Sequence, residues 1–224
     1  MFIVIEGIDG SGKGTQTDLL VNRLRETCVP FETISFPQYG KKSAGPVEEY
    51  LNGVYGTAEQ VSPYQTSILF AVDRFDASRQ ITKWLSEGKI VISNRYVGSN
   101  LGHQGGKISD PVERTKFFEW ALELEYALFK IPQPDCNIIL NIPPEQAQLL
   151  VDKKDSREYL HGKKRDIHED DLHHLQNAAS VYEELAKKMP RTHSISCVEN
   201  GVLLSPEVIH KKIWHIVKTL ISIN

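Results

Sequence analysis

Phe2-Ile3-Val4-Ile5-Glu6-Gly7-Ile8-Asp9-Gly10-Ser11-Gly12-Lys13-Gly14-Thr15 opens the chain and decides its fold. Phe2–Ile5 is a continuous apolar run, as expected of a strand covered on both faces. Thr15 to Glu26 then sets Leu19, Leu20 and Leu24 on one side of a helical pattern. Between strand and helix, Gly7, Gly12 and Lys13 stand in the Gly-x4-Gly-Lys spacing of a phosphate-binding loop. The glycines let backbone N–H groups turn inward around phosphate oxygens, and the helix N-terminus adds its partial positive charge. Lys13 supplies a point charge for the β- and γ-phosphates. Gly7, Gly10, Ser11, Gly12, Lys13, Gly14 and Thr15 are therefore the expected nucleotide-phosphate ligands. The residue after the lysine is usually Ser or Thr, whose hydroxyl approaches Mg²⁺; here Gly14 takes that place and Thr15 follows. By itself the loop leaves a kinase, a GTPase and an ATP-driven machine open.

Outward from the loop, four further β-rich runs recur at Phe31–Phe36, Lys89–Ser93, Cys136–Ile142 and Ser194–Val198. Helical patterns separate them, over Pro63 to Leu85, Leu172 to Lys188 and about Pro206 to Ile221. This alternation predicts an α/β P-loop NTPase fold: a five-stranded parallel sheet, right-handed crossovers and helices on both faces. With 224 residues and no linker, repeat or low-complexity tract, the chain reads as one domain, 1–224. One stretch, 152–171, is rich in charge and poor in apolar residues; it is expected to be a mobile lid over a site.

A net charge of −3 excludes a general nucleic-acid or membrane-surface binder, so any polyanion site has to be a local positive cluster. Cys28, Cys136 and Cys197 are far apart and lack metal-ligand spacing, which fits thiols packed as small apolar residues in a reducing, cytoplasmic setting. His161, His168, His173 and His174, in or beside the lid, read as solvated side chains, with His168 placed to meet the acceptor if the lid shuts.

Three further segments carry a family resemblance: Phe36-Pro37-Gln38-Tyr39-Gly40, Phe70-Ala71-Val72-Asp73-Arg74, and Asn94-Arg95-Tyr96 continuing through Ser99, Asn100 and Gln104. In order and distance they resemble the signatures of thymidylate kinases, and Asp166-x-x-Glu169 with the basic stretch before it resembles that family's lid. Phe70 and Arg74 are four apart on a helical pattern and share a face. A ring beside a guanidinium suits a pyrimidine, which stacks on the one and takes a hydrogen bond from the other. Spacing alone equally allows Phe70 in the core and Arg74 solvated or paired with Asp73. The resemblance implies thymine recognition for Phe70 and Arg74, an acceptor-phosphate ligand in Arg95, pocket walls in Phe36 and Tyr39, and a polar contact to the base from Asn100. It also brings His103 and Gln104 into the acceptor site. Asn94 departs from the family's Asp, and His103 stands where many members carry Tyr.

The resemblance implies transfer of the γ-phosphoryl group of ATP to dTMP, giving dTDP for dTTP synthesis and DNA replication. Mg²⁺ is the implied metal, with Asp9, Thr15 and Glu169 near it, and a homodimer is implied through the Pro63–Leu85 and Phe117–Phe129 helices. Phosphoryl transfer needs charge neutralisation at the transferred oxygens. None of Ile8, Asp9, Gly10 and Ser11 is basic, so the lid has to supply that charge; Arg157 and Arg165 are expected to do so alongside Lys13, Asp9 and Arg95. The acceptor phosphate is already ionised at neutral pH and needs no general base. Gly-Lys-Gly-Thr also resembles adenylate kinase, but an Asp-Gly-Phe-Pro-Arg acceptor motif is absent. A nucleoside kinase fits two arginine sets poorly, and a nucleotide switch would need a water-positioning residue that the sequence does not present.

Overall fold

The computed structural model describes residues 1–151 and 172–221. Its central sheet has five parallel strands: β1 (Phe2–Glu6), β2 (Phe31–Ser35), β3 (Ile90–Asn94), β4 (Cys136–Asn141) and β5 (Thr192–Ser196). Their order is β2-β3-β1-β4-β5. The three inner strands are almost wholly buried, whereas β2 and β5 at the edges are largely half-buried or exposed. That is why β1, β3 and β4 read as the most continuous apolar runs.

The helices are α1 (Lys13–Glu26), α2 (Gly45–Leu51), α3 (Pro63–Ser86), α4 (Val97–Gly105), α5 (Pro111–Leu122), α6 (Pro144–Val151), α7 (Leu172–Lys188) and α8 (Pro206–Leu220). Starts are chemically marked. Ser62 and Gln65 form a reciprocal capping box before Pro63; Asp110 caps the N–H groups of Val112 and Glu113; Ser205 precedes Pro206 and caps Val208. After α5 the chain passes directly into a π-helical turn, Glu123–Leu128. A short antiparallel hairpin, β6 (Val198–Glu199) and β7 (Val202–Leu203), follows β5 and is not anticipated by the sequence reading.

The five strands of the central sheet run the same way, so their carboxyl ends share one edge. Register places Ile5 opposite Asn94, and Asn94 opposite Ser35. The loops after β1, β2 and β3 therefore emerge side by side, where open α/β sheets build their sites. Cys136 and Cys197 are buried, as expected of thiols serving as small apolar residues; Cys28 corrects that reading, because it lies exposed at φ 56° in the turn after α1. The segment expected to form a lid, with Arg157, Arg165, His161, His168 and Glu169, lies outside the described residues.

Candidate active site

The loop after β1 is built on positive-φ glycines: Gly7 at 141°, Gly10 at 80° and Gly12 at 88°. At Gly10 no larger residue fits, because a Cβ would stand 2.0 Å from the backbone oxygen of Ala147. Lys13 Nζ donates to the carbonyls of Gly7 (3.0 Å) and Ile8 (2.8 Å), so its ammonium is held against the loop. Ser11 Oγ is buried within the loop without a hydrogen-bond partner. Gly14 and Thr15 are exposed on the first turn of α1, where Gly14 has open space around it.

One cleft joins this loop to the ends of β2 and β3 and to α3 and α4. Its walls include Asp9, Gly10, Gly12, Lys13 and Gly14 on one side, and Phe36, Tyr39, Phe70, Arg74, Arg95, Asn100, His103 and Gln104 on the other. These eight residues expected at the acceptor site are thus brought into the same space as the phosphate loop, while His168 lies outside the described residues. Gly7, Ser11 and Thr15 do not line it. Asn100 is 3% exposed, and neither its Oδ1 nor its Nδ2 has a partner; Gln104 Oε1 and Asn94 Oδ1 are orphaned likewise. Buried amides that face a cleft unpaired are sites for a polar ligand.

Arg95 follows β3 at φ 68°, a left-handed conformation rare for an arginine and held by the surrounding bonds. Its Nη2 donates to Asp9 Oδ1, and its Nη1 donates to Ser99 Oγ at 3.0 Å. Ser99 Oγ in turn donates to Glu6 Oε2 at 2.5 Å, and Glu6 Oε1 accepts from the Tyr96 N–H at 2.8 Å. Burial raises the carboxyl pKa of Glu6, with Ser99, Arg95 and Tyr96 opposing. For Arg95, burial disfavours the charge, but Asp9 overrides it and the pKa is raised.

Arg95 Nη1 also lies 3.2 Å from His103 Nε2. A guanidinium has no acceptor, so that ring nitrogen accepts. The proton of neutral His103 is then on Nδ1, which donates to His174 Nε2 at 3.3 Å. Burial, reinforced by Arg95, His174 and Lys13 and opposed by Asp9, keeps the His103 pKa well below 6.5. His174, read from sequence as solvated, is instead buried at the start of α7, its ring stacked on His103 with centroids 5.5 Å apart. The expectation fails because α7 turns that position inward; His173 beside it is exposed.

Arg74 is not paired with Asp73. It is sealed against Glu125 from the π-helical turn, with Nε 3.0 and 2.9 Å from the two carboxylate oxygens and Nη2 donating to Oε1. Asp73 instead accepts from the Gln38 N–H (2.8 Å), Gln38 Nε2 (3.1 Å) and Ser43 Oγ (2.7 Å). It ties the loop carrying Phe36 and Tyr39 to α3. Glu6, Asp73, Glu125 and His174 are the functional neighbours that the sequence reading missed. Glu125 left no signal of its own, because it is one of two acids, with Glu123, in the stretch Leu122–Phe129.

A phosphate cradle sharing one cleft with an aromatic, amide and guanidinium pocket defines a P-loop kinase of the nucleoside monophosphate class. The family model for thymidylate kinase matches residues 5–211, and the chain belongs to that family, which phosphorylates dTMP to dTDP using ATP. A thymidylate kinase of Mycobacterium tuberculosis is 32% identical over 187 residues, covering 83% of this chain and 86% of the relative. A probable thymidylate kinase of Thermococcus kodakarensis is 30% identical over 233 residues, covering 99% of each. The fold also matches a solved thymidylate kinase from Candida albicans with a TM-score of 0.72 at 20% identity, over 98% of this chain and 91% of that one.

Proposed function

We propose that this chain transfers the γ-phosphoryl group of ATP to dTMP, releasing ADP and dTDP for dTTP synthesis and DNA replication. The observation that carries this reading is the single cleft in which the phosphate loop faces Phe70, Arg74 and the unpaired amide of Asn100. Phe70 stacks on the thymine ring, Arg74 donates to its 4-carbonyl, and Asn100 completes the polar edge. Phe36 and Tyr39 wall the pocket, while Gln104 and His103 lie against base and sugar. Arg95 holds the acceptor phosphate. Its guanidinium is already bound by Asp9 and Ser99, so it meets the incoming dianion with little loss of freedom.

On the donor side, Gly7, Gly10, Ser11, Gly12, Lys13, Gly14 and Thr15 receive the ATP phosphates. Lys13 swings from its carbonyl contacts onto the β- and γ-oxygens. Arg157 and Arg165 are assigned the remaining charge from the sequence, where the loop has no basic residue at positions 8–11. When bound, Mg²⁺ would neutralise phosphate charge. The donor chemistry suits it in part: Asp9 offers a carboxylate in the cleft and Thr15 a hydroxyl, with Glu169 the third candidate. No group of three or more His, Cys, Asp or Glu side chains suited to a metal occurs among the described residues. A metal carried mainly by phosphates and water matches that set.

We further place the protein in the cytoplasm, consistent with its three free thiols, and as a homodimer. No helix among the described residues is long and apolar enough to cross a membrane. For the dimer, α3 presents Tyr64, Ile68, Val72 and Phe75 outward beside Leu128. ADP release measured over a panel of dTMP, dUMP, AMP and GMP tests the reaction. Turnover that requires dTMP is expected. Equal turnover without any acceptor would sink the kinase reading, and turnover with AMP but not dTMP would sink the acceptor.

A further inference from the structure

The Arg74–Glu125 pair is fully enclosed, with side chains 2% and 0% exposed, whereas Asp9 and Arg95 in the same cleft remain 18% and 16% open. Removing two charges from water is costly, and such a pair is a poor device for stability alone. Its geometry is specific. Glu125 takes the Nε and Nη2 edge of the guanidinium, leaving Nη1 outside the pair, in a side chain that lines the cleft together with Phe70. Burial disfavours the Arg74 charge, but Glu125 reverses that and raises its pKa, so it is a donor at every working pH. Glu125 reaches this place from a π-helical turn, a wide turn that often marks function. Nearby, Tyr126 and Tyr96 have hydroxyls whose pKa is raised first by burial, so they stay neutral.

We propose that Glu125 is a positioning residue for base selection. By gripping one edge of Arg74, it fixes the guanidinium as a donor facing the 4-position of the base, selecting a pyrimidine with a carbonyl there over one with an amino group. This rests on the acceptor reading above. Two donors facing one another leave both unpaired in a dry pocket, which is where polar discrimination is strongest.

The test compares kcat/KM for dTMP and 5-methyl-dCMP, which differ at the 4-position and at the N3 proton. The variants are Glu125→Gln, Glu125→Asp, Arg74→Gln and the double Arg74→Gln/Glu125→Gln. Glu125→Gln is expected to lower the dTMP preference by about tenfold or more, mainly through KM for dTMP, with KM for ATP unmoved. Glu125→Asp keeps the charge and retains more of the preference. The double variant matches Arg74→Gln alone, because Glu125 acts only through Arg74. An unchanged preference alongside a lower melting temperature would overturn the proposal, as would an additional loss in the double variant. If Glu125→Gln does not fold, Glu125→Asp and the double variant, which strands no buried charge, are judged by the same criteria. A wild-type enzyme inactive on dTMP overturns the acceptor reading and this inference together; an active one with an unmoved preference overturns the inference alone.

Discussion

Lys107 stands one turn beyond Gln104, and its ammonium is packed where a charge is unwelcome. Nζ donates to Tyr50 Oη at 2.8 Å and to the Val61 carbonyl at 3.4 Å, and it lies 5.3 Å from the Tyr50 ring centroid. Burial pulls its pKa down to about 8, with Glu59 the opposing charge. In the unfolded chain the same lysine titrates near 10.4. Between those values the unfolded state holds more protons, so this group's contribution to stability rises with pH from about 8 to 10.4 and is flat below. Amine acetylation followed by peptide mass spectrometry should give Lys107 a reactivity midpoint near 8. A midpoint at the unfolded-chain value near 10.4 would sink the assignment. Neither this lysine nor the His103–His174 contact was legible in the sequence, because nothing in one-dimensional spacing reports which polar side chain a distant helix will cover. By contrast, the loop from Gly7 to Lys13 could be read residue by residue, since its chemistry is local and its glycines are dictated by backbone geometry.

Among the elements, α4 is the one whose sequence least resembles its structure. It contains Gly98, Gly102 and Gly105, and glycine is a poor helix former, so no helix is expected between Val97 and Gly105. The structure supplies the reason. A Cβ at Gly102 would stand 2.7 Å from the Tyr182 ring of α7, and one at Gly105 would stand 2.6 Å from Phe118. The glycines let α4 press against its neighbours, carrying Ser99, Asn100, His103 and Gln104 to the cleft wall. The long helices α3 and α8 were legible because their apolar spacing and Ser-Pro starts agree, and α7 was legible from its apolar spacing. Glu125 was not, because a π-helical turn shifts its neighbours off the 3.6-residue period. Close packing should defeat propensity at Gly102: Gly102→Ala is expected to cost about 1 to 3 kcal/mol by overpacking, against about 1 kcal/mol of helix gain. Gly14→Ala, in open space on α1, serves as the control and should be neutral or slightly stabilising in the ligand-free protein. Thermal melting reads both, at roughly 2 to 4 °C per kcal/mol for a chain of this size. An unchanged or higher melting temperature for Gly102→Ala would refute the close-packing account.

At the scale of the whole molecule, α3 has two working faces. One carries Phe70 and Arg74 into the cleft. The other leaves Ile68 at 45%, Val72 at 42% and Phe75 at 49% exposure, with the Phe75 ring tilted against Phe129 at 5.1 Å between centroids and Leu128 open at 68%. A continuous apolar stripe open to water asks for a cover. The proposed cover is a second copy, which buries the same stripe from both sides and is self-complementary about a two-fold axis. Each half-exposed side chain would gain about 1 kcal/mol at the usual area coefficient. A carboxylate at Val72 would enter the interface twice and lose its water, an effect expected to exceed that gain. Sedimentation velocity over a micromolar concentration range should find the wild type as a dimer and Val72→Asp as a monomer. Because α3 also carries Phe70 and Arg74, loss of the partner should loosen the base pocket, raising KM for dTMP while leaving KM for ATP nearly unchanged. A wild type that sediments as a monomer throughout that range would leave the stripe without its proposed partner. A monomeric Val72→Asp with unaltered KM for dTMP would separate assembly from base recognition.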